Sequence, residues 1–162
     1  MSRMRYLLFL MAAIAVAACN STGLHGNGDD NYFSAYGNIE GDGWQYSRPV
    51  PVVVDTLRDS MAVGTLVLSV RHGADYRYSN IWLELSRSHR DSVVRRDTFD
   101  IILADDYGNW RGHGMGTSLQ FTDTLCRNFT IHRSDTLMLR HIMRLDTLDG
   151  IERVGIMFIP DI

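Results

Sequence analysis

Six histidines, two cysteines, a row of alternate glycines and a recurring aspartate-hydroxyl pair are the residues here whose types could do chemistry. The histidines are His25, His72, His89, His113, His132 and His141. None forms a His-Glu-x-x-His pair, and no Cys/His set has zinc-finger spacing. Ligands assembled across strands leave no spacing to read, so the sequence specifies no metal site, and no cofactor is expected. Cys126 stands between Leu125 and Arg127 with nothing beside it to activate a thiolate, which reads as a small buried hydrophobe. No Gly-x-Ser-x-Gly elbow is present, and a glycosidase's carboxylate pair cannot be recognised from one sequence. No catalytic residue is assigned, and the chain is read as a non-enzyme.

Gly108, Gly112, Gly114 and Gly116 suggest a phosphate loop at first sight. The Gly-x-Gly-x-x-Gly order is missing, and no helix pattern follows to present its N-terminus to a phosphate. A strand with one thin face, approached closely by another backbone or by Trp110, accounts for the glycines better. Asp105 and Asp106 beside Gly108 lack EF-hand spacing and read as a solvated turn.

Aspartate followed by serine or threonine recurs at Thr56, Ser60, Ser92, Thr98, Thr124, Thr136 and Thr147, at irregular intervals that exclude a structural repeat. An aspartate that closes a turn before a strand-forming threonine explains the pattern locally. All but the Thr98 case, where phenylalanine follows, also resemble the Asp-(Ser/Thr)-apolar acceptor for O-glycosylation of exported Bacteroidetes proteins. Thr56, Ser60, Ser92, Thr124, Thr136 and Thr147 are therefore candidate modification sites.

The N-terminus sets the compartment in which any of these residues would act. Arg3 and Arg5 precede an apolar stretch from Tyr6 to Val16, then Ala17, Ala18 and Cys19. This is the order of a secretory signal, and its apolar part is well short of the roughly 20 residues that span a bilayer. Val16-Ala17-Ala18-Cys19 resembles the bacterial lipobox, which makes residues 1–18 a lipoprotein signal peptide and Cys19 the acylated N-terminus. Cys126 would then have no disulfide partner. With Arg3 and Arg5 removed, fourteen basic side chains face nineteen acidic ones, a net charge of −5. That balance gives no case for nucleic-acid binding or a polybasic membrane patch, so attachment falls to the lipid. Every basic residue is arginine; compositional bias outweighs a special demand for bidentate ion pairs as the explanation.

Residues 19–31 are polar and glycine-rich, a flexible tether, and 32–162 have the length of one domain. Leu66, Leu68 and Val70 alternate with Thr65, Val67 and Ser69, and Ile81, Leu83 and Leu85 with Trp82, Glu84 and Ser86. Period two of this kind marks half-buried strands. Pro49–Val54 suits an edge strand. Further strands are expected over Val93–Leu103, Leu119–Phe121, Leu125–Ile131, Thr136–Met143 and Val154–Ile159. Leu145–Glu152 has room for one short helix. Turn signals about every ten residues predict an all-β antiparallel sandwich, jelly-roll-like, of about eight strands.

Three segments then carry a family likeness. Arg71 to Leu83, with its Tyr76-Arg77-Tyr78-Ser79-Asn80 turn, resembles the central signature of the GldH family of gliding-motility lipoproteins. Leu103-Ala104-Asp105 through Gly108, Trp110, Gly112 and Gly114 resembles its next element. His141-Ile142-Met143-Arg144-Leu145 through Leu148, Gly150, Ile151, Val154 and Gly155 resembles its C-terminal elements, in the expected order. Arg77 stands where the family pattern has proline, so this turn departs from the pattern there. The resemblance implies a cell-envelope lipoprotein, membrane-anchored and facing the periplasm or cell surface, accessory to gliding motility and to linked protein export. Its partners would be envelope proteins, met through an interaction surface around Tyr76, Tyr78 and Asn80. The rival reading from the residues is a carbohydrate-binding lipoprotein that stacks sugars on exposed tryptophans.

Overall fold

Strands that bury every second side chain can form two layers around one core, and most of this chain is built of them. The computed structural model describes residues 31–114 and 116–161. The signal segment 1–18, Cys19 and the tether as far as Asp30 lie outside the described residues. The strands are β1 (Phe33–Asn38), β2 (Trp44–Gln45), β3 (Val50–Val53), β4 (Met61–Gly73) and β5 (Asn80–His89). After them come β6 (Ser92–Ile102), β7 (Ser118–His132), β8 (Asp135–His141), β9 (Thr147–Leu148) and β10 (Ile151–Pro160).

Two four-stranded antiparallel sheets have the orders β1-β10-β4-β7 and β3-β8-β5-β6, and β2 pairs with β9 as a small ribbon. These orders are those of a jelly roll. Eight of the ten strands exceed two residues, in line with the expected count. Leu66, Leu68 and Val70 of β4 face inward with Val154, Ile156 and Phe158 of β10. Ile81, Leu83 and Leu85 of β5 meet them from the other sheet with Leu137 and Leu139 of β8. The alternation seen in the sequence is thus the alternation of core and surface.

Three details differ from the sequence reading. Leu119–Phe121 and Leu125–Ile131 belong to one fifteen-residue strand, β7. Asp123-Thr124 between them looks like a turn, but β7 is a sheet edge, where an exposed aspartate is tolerated. The strand takes up the irregularity by register shifts against β4 around Leu66 and by a positive φ of 52° at Asn128. The room left for a helix at Leu145–Glu152 is filled instead by β9 and the Gly150 turn, because Thr147 and Leu148 find a partner in β2. β1 and β2, passed over in the sequence, close the roll: β1 lies on β10, and its Phe33 ring stacks on Phe158 at 5.5 Å.

Among the described residues five arginines settle onto aromatic rings. Arg87 and Arg95 lie over Phe129, Arg111 over Phe121, Arg140 over Tyr46 and Arg153 over Tyr36, at 5.0 to 5.9 Å from the ring centres. Each such contact is worth about 0.5–1 kcal/mol at an exposed site, and each covers ring surface that a strand edge would leave wet.

Phe158 is fully buried at the centre of this packing, whereas its neighbour Ile159 faces solvent. Phe158→Ala is expected to lower unfolding free energy by about 3–5 kcal/mol in a denaturant titration, and Ile159→Ala by no more than about 0.5 kcal/mol.

Candidate functional site

Beside the β3-β8-β5-β6 sheet lies an apolar opening, and the end of β8 creates it. β5 is flanked by β6 along its whole length but by β8 only as far as the Leu83–His141 pair. Beyond it, Ile142 N–H still donates to Trp82 O at 2.8 Å, and the Trp82 N–H points to Met143 Sδ at 3.3 Å. The chain then swings off toward β9, held by a Tyr46 N–H bond to Asp146 O at 2.8 Å. The departure opens a cleft of about 690 Å³ walled by Tyr78, Trp82 and Thr98 on one side and Ile142–Leu145 on the other. Trp82 and Leu145 are each 42% exposed there. Large apolar side chains so exposed around one concavity are what a binding surface presents.

The turn beside the cleft is fixed from below. Tyr76 is 4% exposed, and its hydroxyl donates to Asn80 O at 3.1 Å. Its ring lies 5.7 Å from that of His72 and 6.3 Å from that of Trp110, and His72 and Trp110 are 4.6 Å apart. Tyr78 meets Tyr76 edge-on at 5.6 Å, so a line of rings runs from the core to the cleft wall. Burial, with the neighbouring Tyr78 adding to it, pushes the Tyr76 phenol well above its ordinary range. Ser79 O accepts from the N–H groups of both Leu103 and Ala104, at 2.8 and 2.9 Å. Gly150, at φ 81°, lies against Tyr76 so closely that a Cβ would come within 3.1 Å of the Tyr76 Cα. Three separate stretches of sequence therefore meet at one turn: Tyr76–Trp82, Leu103–Trp110 and Met143–Gly150.

Of the residues expected at an interaction surface, Tyr76 is a correction: it is a core residue that supports the turn from inside. Tyr78 is half-buried in the cleft wall. Asn80 is half-buried and donates through Nδ2 to Asp100 Oδ1 of β6 at 2.6 Å, rather than to loop backbone. Arg144 is exposed at the rim and forms no ion pair with Asp146. In the sequence Trp82 stood out only with Trp44 and Trp110, as a tryptophan that could stack sugars, and Leu145 was not singled out as a site residue. The signal for Trp82 was present, since it is a tryptophan on the wet side of an alternating strand.

The remaining candidates are placed as follows. Thr56, Ser60, Ser92 and Thr124 are exposed, while Thr136 and Thr147 are half-buried. Cys19 and His25 lie outside the described residues. Trp44 is buried, with Nε1 donating to Arg48 O at 3.0 Å, and Trp110 packs on His72. Gly112 and Gly114 face the Ser118–Gln120 backbone so closely that a Cβ on either would collide with it. Asp105 accepts from the Asn109 side-chain amide and from the N–H groups of Asn109 and Tyr107, which holds its own turn and keeps its carboxyl below the usual range. Among the described residues, His89, His132 and Asp135 are the one group of three ligand types close enough to share a metal ion.

His141 is fully buried beneath the cleft loop, edge-on to Trp44 at 5.3 Å and Tyr46 at 6.1 Å, with neither ring nitrogen in good hydrogen-bonding geometry. Burial pushes its imidazole below the ordinary pKa; the nearby Trp44 backbone offsets part of this and the Arg140 charge adds to it. The unfolded chain titrates this group near pH 6.5, whereas the folded form takes up the proton only at lower pH. His141 thus contributes stability above about pH 6.5 that is lost as the pH falls below it. Thermal melts between pH 7 and 5 should show a falling midpoint, and His141→Phe, which keeps a ring in place, should fall less steeply.

Residues 31–158 match the family model described as GldH lipoprotein. A curated relative, the gliding motility lipoprotein GldH homolog of Christiangramia forsetii, is 27% identical over 109 residues, which cover 67% of this chain. The match spans 60% of that relative's own length. Among solved structures, a family 35 carbohydrate binding module from Clostridium thermocellum aligns at a TM-score of 0.38 and 10% identity, over 76% of this chain and 90% of that one. Eiger TNF from S. frugiperda aligns at a TM-score of 0.35 and 14% identity, over 86% of this chain and 91% of that one. The family match takes in every segment that meets at the Tyr76–Asn80 turn, and this chain belongs to the GldH lipoprotein family.

Proposed function

We propose that this envelope lipoprotein is a non-enzymatic accessory of gliding motility, and of the protein export linked to it, that holds an envelope protein partner in the Tyr78–Trp82 cleft. One observation carries the reading: three family segments, distant in sequence, converge on a turn whose outer side is the apolar cleft. Packing alone needs Tyr76 and Gly150 there, but it does not need Trp82 and Leu145 to stand half in water. Aromatic anchors in a partly desolvated pocket supply most of the affinity of protein interfaces.

The position of the cleft suits a tethered protein. The described chain enters at Asn31, which bonds to Asp59 near the Arg133–Ser134 turn. That is the end of the β5–β8 pair remote from the cleft. A lipid on Cys19 would hold the entry end toward the bilayer and raise the local concentration of the domain for membrane-bound partners. Among the described residues no helix is long and apolar enough to cross a membrane.

The carbohydrate-binding reading is favoured by one feature, the exposed Trp82 indole beside Tyr78. Against it, Trp44 is core and Trp110 is packed into the ring cluster, and the cleft offers few polar groups to orient a sugar: the hydroxyls of Tyr78 and Thr98, and Arg144. Affinity purification of the lipidated protein from native membranes separates the two readings. The intact protein should retain envelope proteins, and Trp82→Ala should reduce their recovery at least tenfold, the size of an interface anchor of about 2 kcal/mol. Equal recovery with Trp82→Ala, or retention of glycan without protein, would count against the docking role.

A further inference from the structure

We propose that His89, His132 and Asp135 form a binding site for one divalent transition-metal ion of the zinc type, which ties the two sheets together at the turn end of the sandwich. His89 ends β5 and Asp135 begins β8, and the two are register partners in one sheet. His132 ends β7, which belongs to the other sheet. The three donor atoms all lie within 4.8 Å of one another.

The carboxylate is the fixed member. Asp135 is fully buried, with Oδ2 taking the His132 backbone N–H at 2.9 Å and facing Arg87 Nε at 3.8 Å. Oδ1 is left to the second ring, His89 Nδ1, at 2.6 Å. A metal-ligating carboxylate is commonly held in this way, one oxygen anchored by donors and the other turned to the ion. The imidazoles are the adjustable members. His89 and His132 side chains are 33% and 41% exposed, and their rings meet edge-on at 5.5 Å. His132 Nδ1 lies 3.7 Å from Asp135 Oδ2. Ligand atoms about 2.0–2.1 Å from a tetrahedral zinc ion sit roughly 3.3 Å from one another, so small ring movements at half-exposed positions would complete the set. The ion would take the place of the hydrogen bond between His89 Nδ1 and Asp135 Oδ1, with the neutral imidazole carrying its proton on Nε2 and the ion's fourth position open to water.

Two neutral imidazoles and one carboxylate select a borderline ion over calcium or magnesium, which take oxygen. Among the described residues Arg87 is the arginine that faces the carboxylate, and it offsets that single negative charge. Binding therefore rests on the ring nitrogens and should be specific for imidazole-seeking metals.

The test uses the full chain in detergent, carrying no histidine tag and freed of metal by chelation, titrated with zinc ion alone. Calorimetry should report a stoichiometric site, and saturating zinc should raise the melting midpoint by about 5 °C, whereas magnesium and calcium should leave it unchanged. His132→Gln removes a half-exposed ligand, and His89→Gln removes the other; each should weaken zinc binding at least tenfold. With cobalt as probe, the visible absorption of a four-coordinate site should appear in the wild type and vanish in both variants. Because His132→Gln leaves the Asp135 carboxylate its backbone donor, its zinc-free melting midpoint should stay close to that of the wild type. Zinc binding that is absent, or equally strong in folded His132→Gln and His89→Gln, would overturn the proposal.

Discussion

Every hairpin-like strand pair in this protein joins segments placed symmetrically about Arg90–Asp91. β5 lies on β6, β4 on β7, β3 on β8, β2 on β9 and β1 on β10. The chain is in effect one long antiparallel ribbon, doubled once and then rolled. Rolling adds the two pairings that finish the sheets, β4 with β10 and β5 with β8. What drives the roll is the inward row of each strand, since a ribbon with one apolar face gains most by closing on itself. The turn that starts the ribbon has positive φ at both central residues, 49° at Arg90 and 65° at Asp91. This is the hairpin geometry that matches strand twist, although neither residue is the glycine that usually relieves it.

The alternation of Leu66, Leu68 and Val70, and of Ile81, Leu83 and Leu85, was legible because burial of one strand face imposes period two on the sequence. The edge position of Pro49–Val54 was legible too, since proline cannot donate to a second neighbour. β1 was hidden by Tyr36, Gly37 and Asn38, which pair with β10 while Tyr36 and Asn38 face outward and Gly37 lies under the Val50 side chain. β7 was hidden by its aspartate, whose cost depends on whether the strand is central or at an edge. That distinction belongs to topology and not to the local sequence. The candidate site was half legible: the segments that meet at the cleft were recognisable as family elements, but their meeting is a consequence of the roll. Tyr76 and Tyr78 show the limit, because two tyrosines in one turn face opposite environments and nothing in their spacing says which is buried.

The same geometry places the two site-like features apart. The cleft lies where β8 leaves β5 near His141, and the His89–His132–Asp135 group lies at the other end of the same strand pair. Leu83 and His89 are six residue steps apart along the strand, a distance of about 20 Å at the usual rise. One end therefore receives the chain at Asn31 and carries the proposed metal ligands, while the other carries the exposed side chains of Trp82 and Leu145. An ion bound there, as proposed, would link the sheets at the entry end and leave the cleft residues untouched.

A sandwich with four edge strands could also bind partners by adding a strand, so the edges need an account. β3 has four residues, one of them Pro51. β6 exposes Arg95, Arg96 and Asp100 along its free side, and an incoming strand would have to accommodate these charges. β7 is bent by its register shifts and by Asn128, and β1 has six residues with Gly37 among them. Each edge thus carries one of the devices that discourage strand addition: shortness, proline, charge or irregularity. The cleft carries none of them. Its walls are mostly apolar and concave, and the Tyr78 side is held by ring packing from the core, which supports the proposed docking of a partner's side chain there.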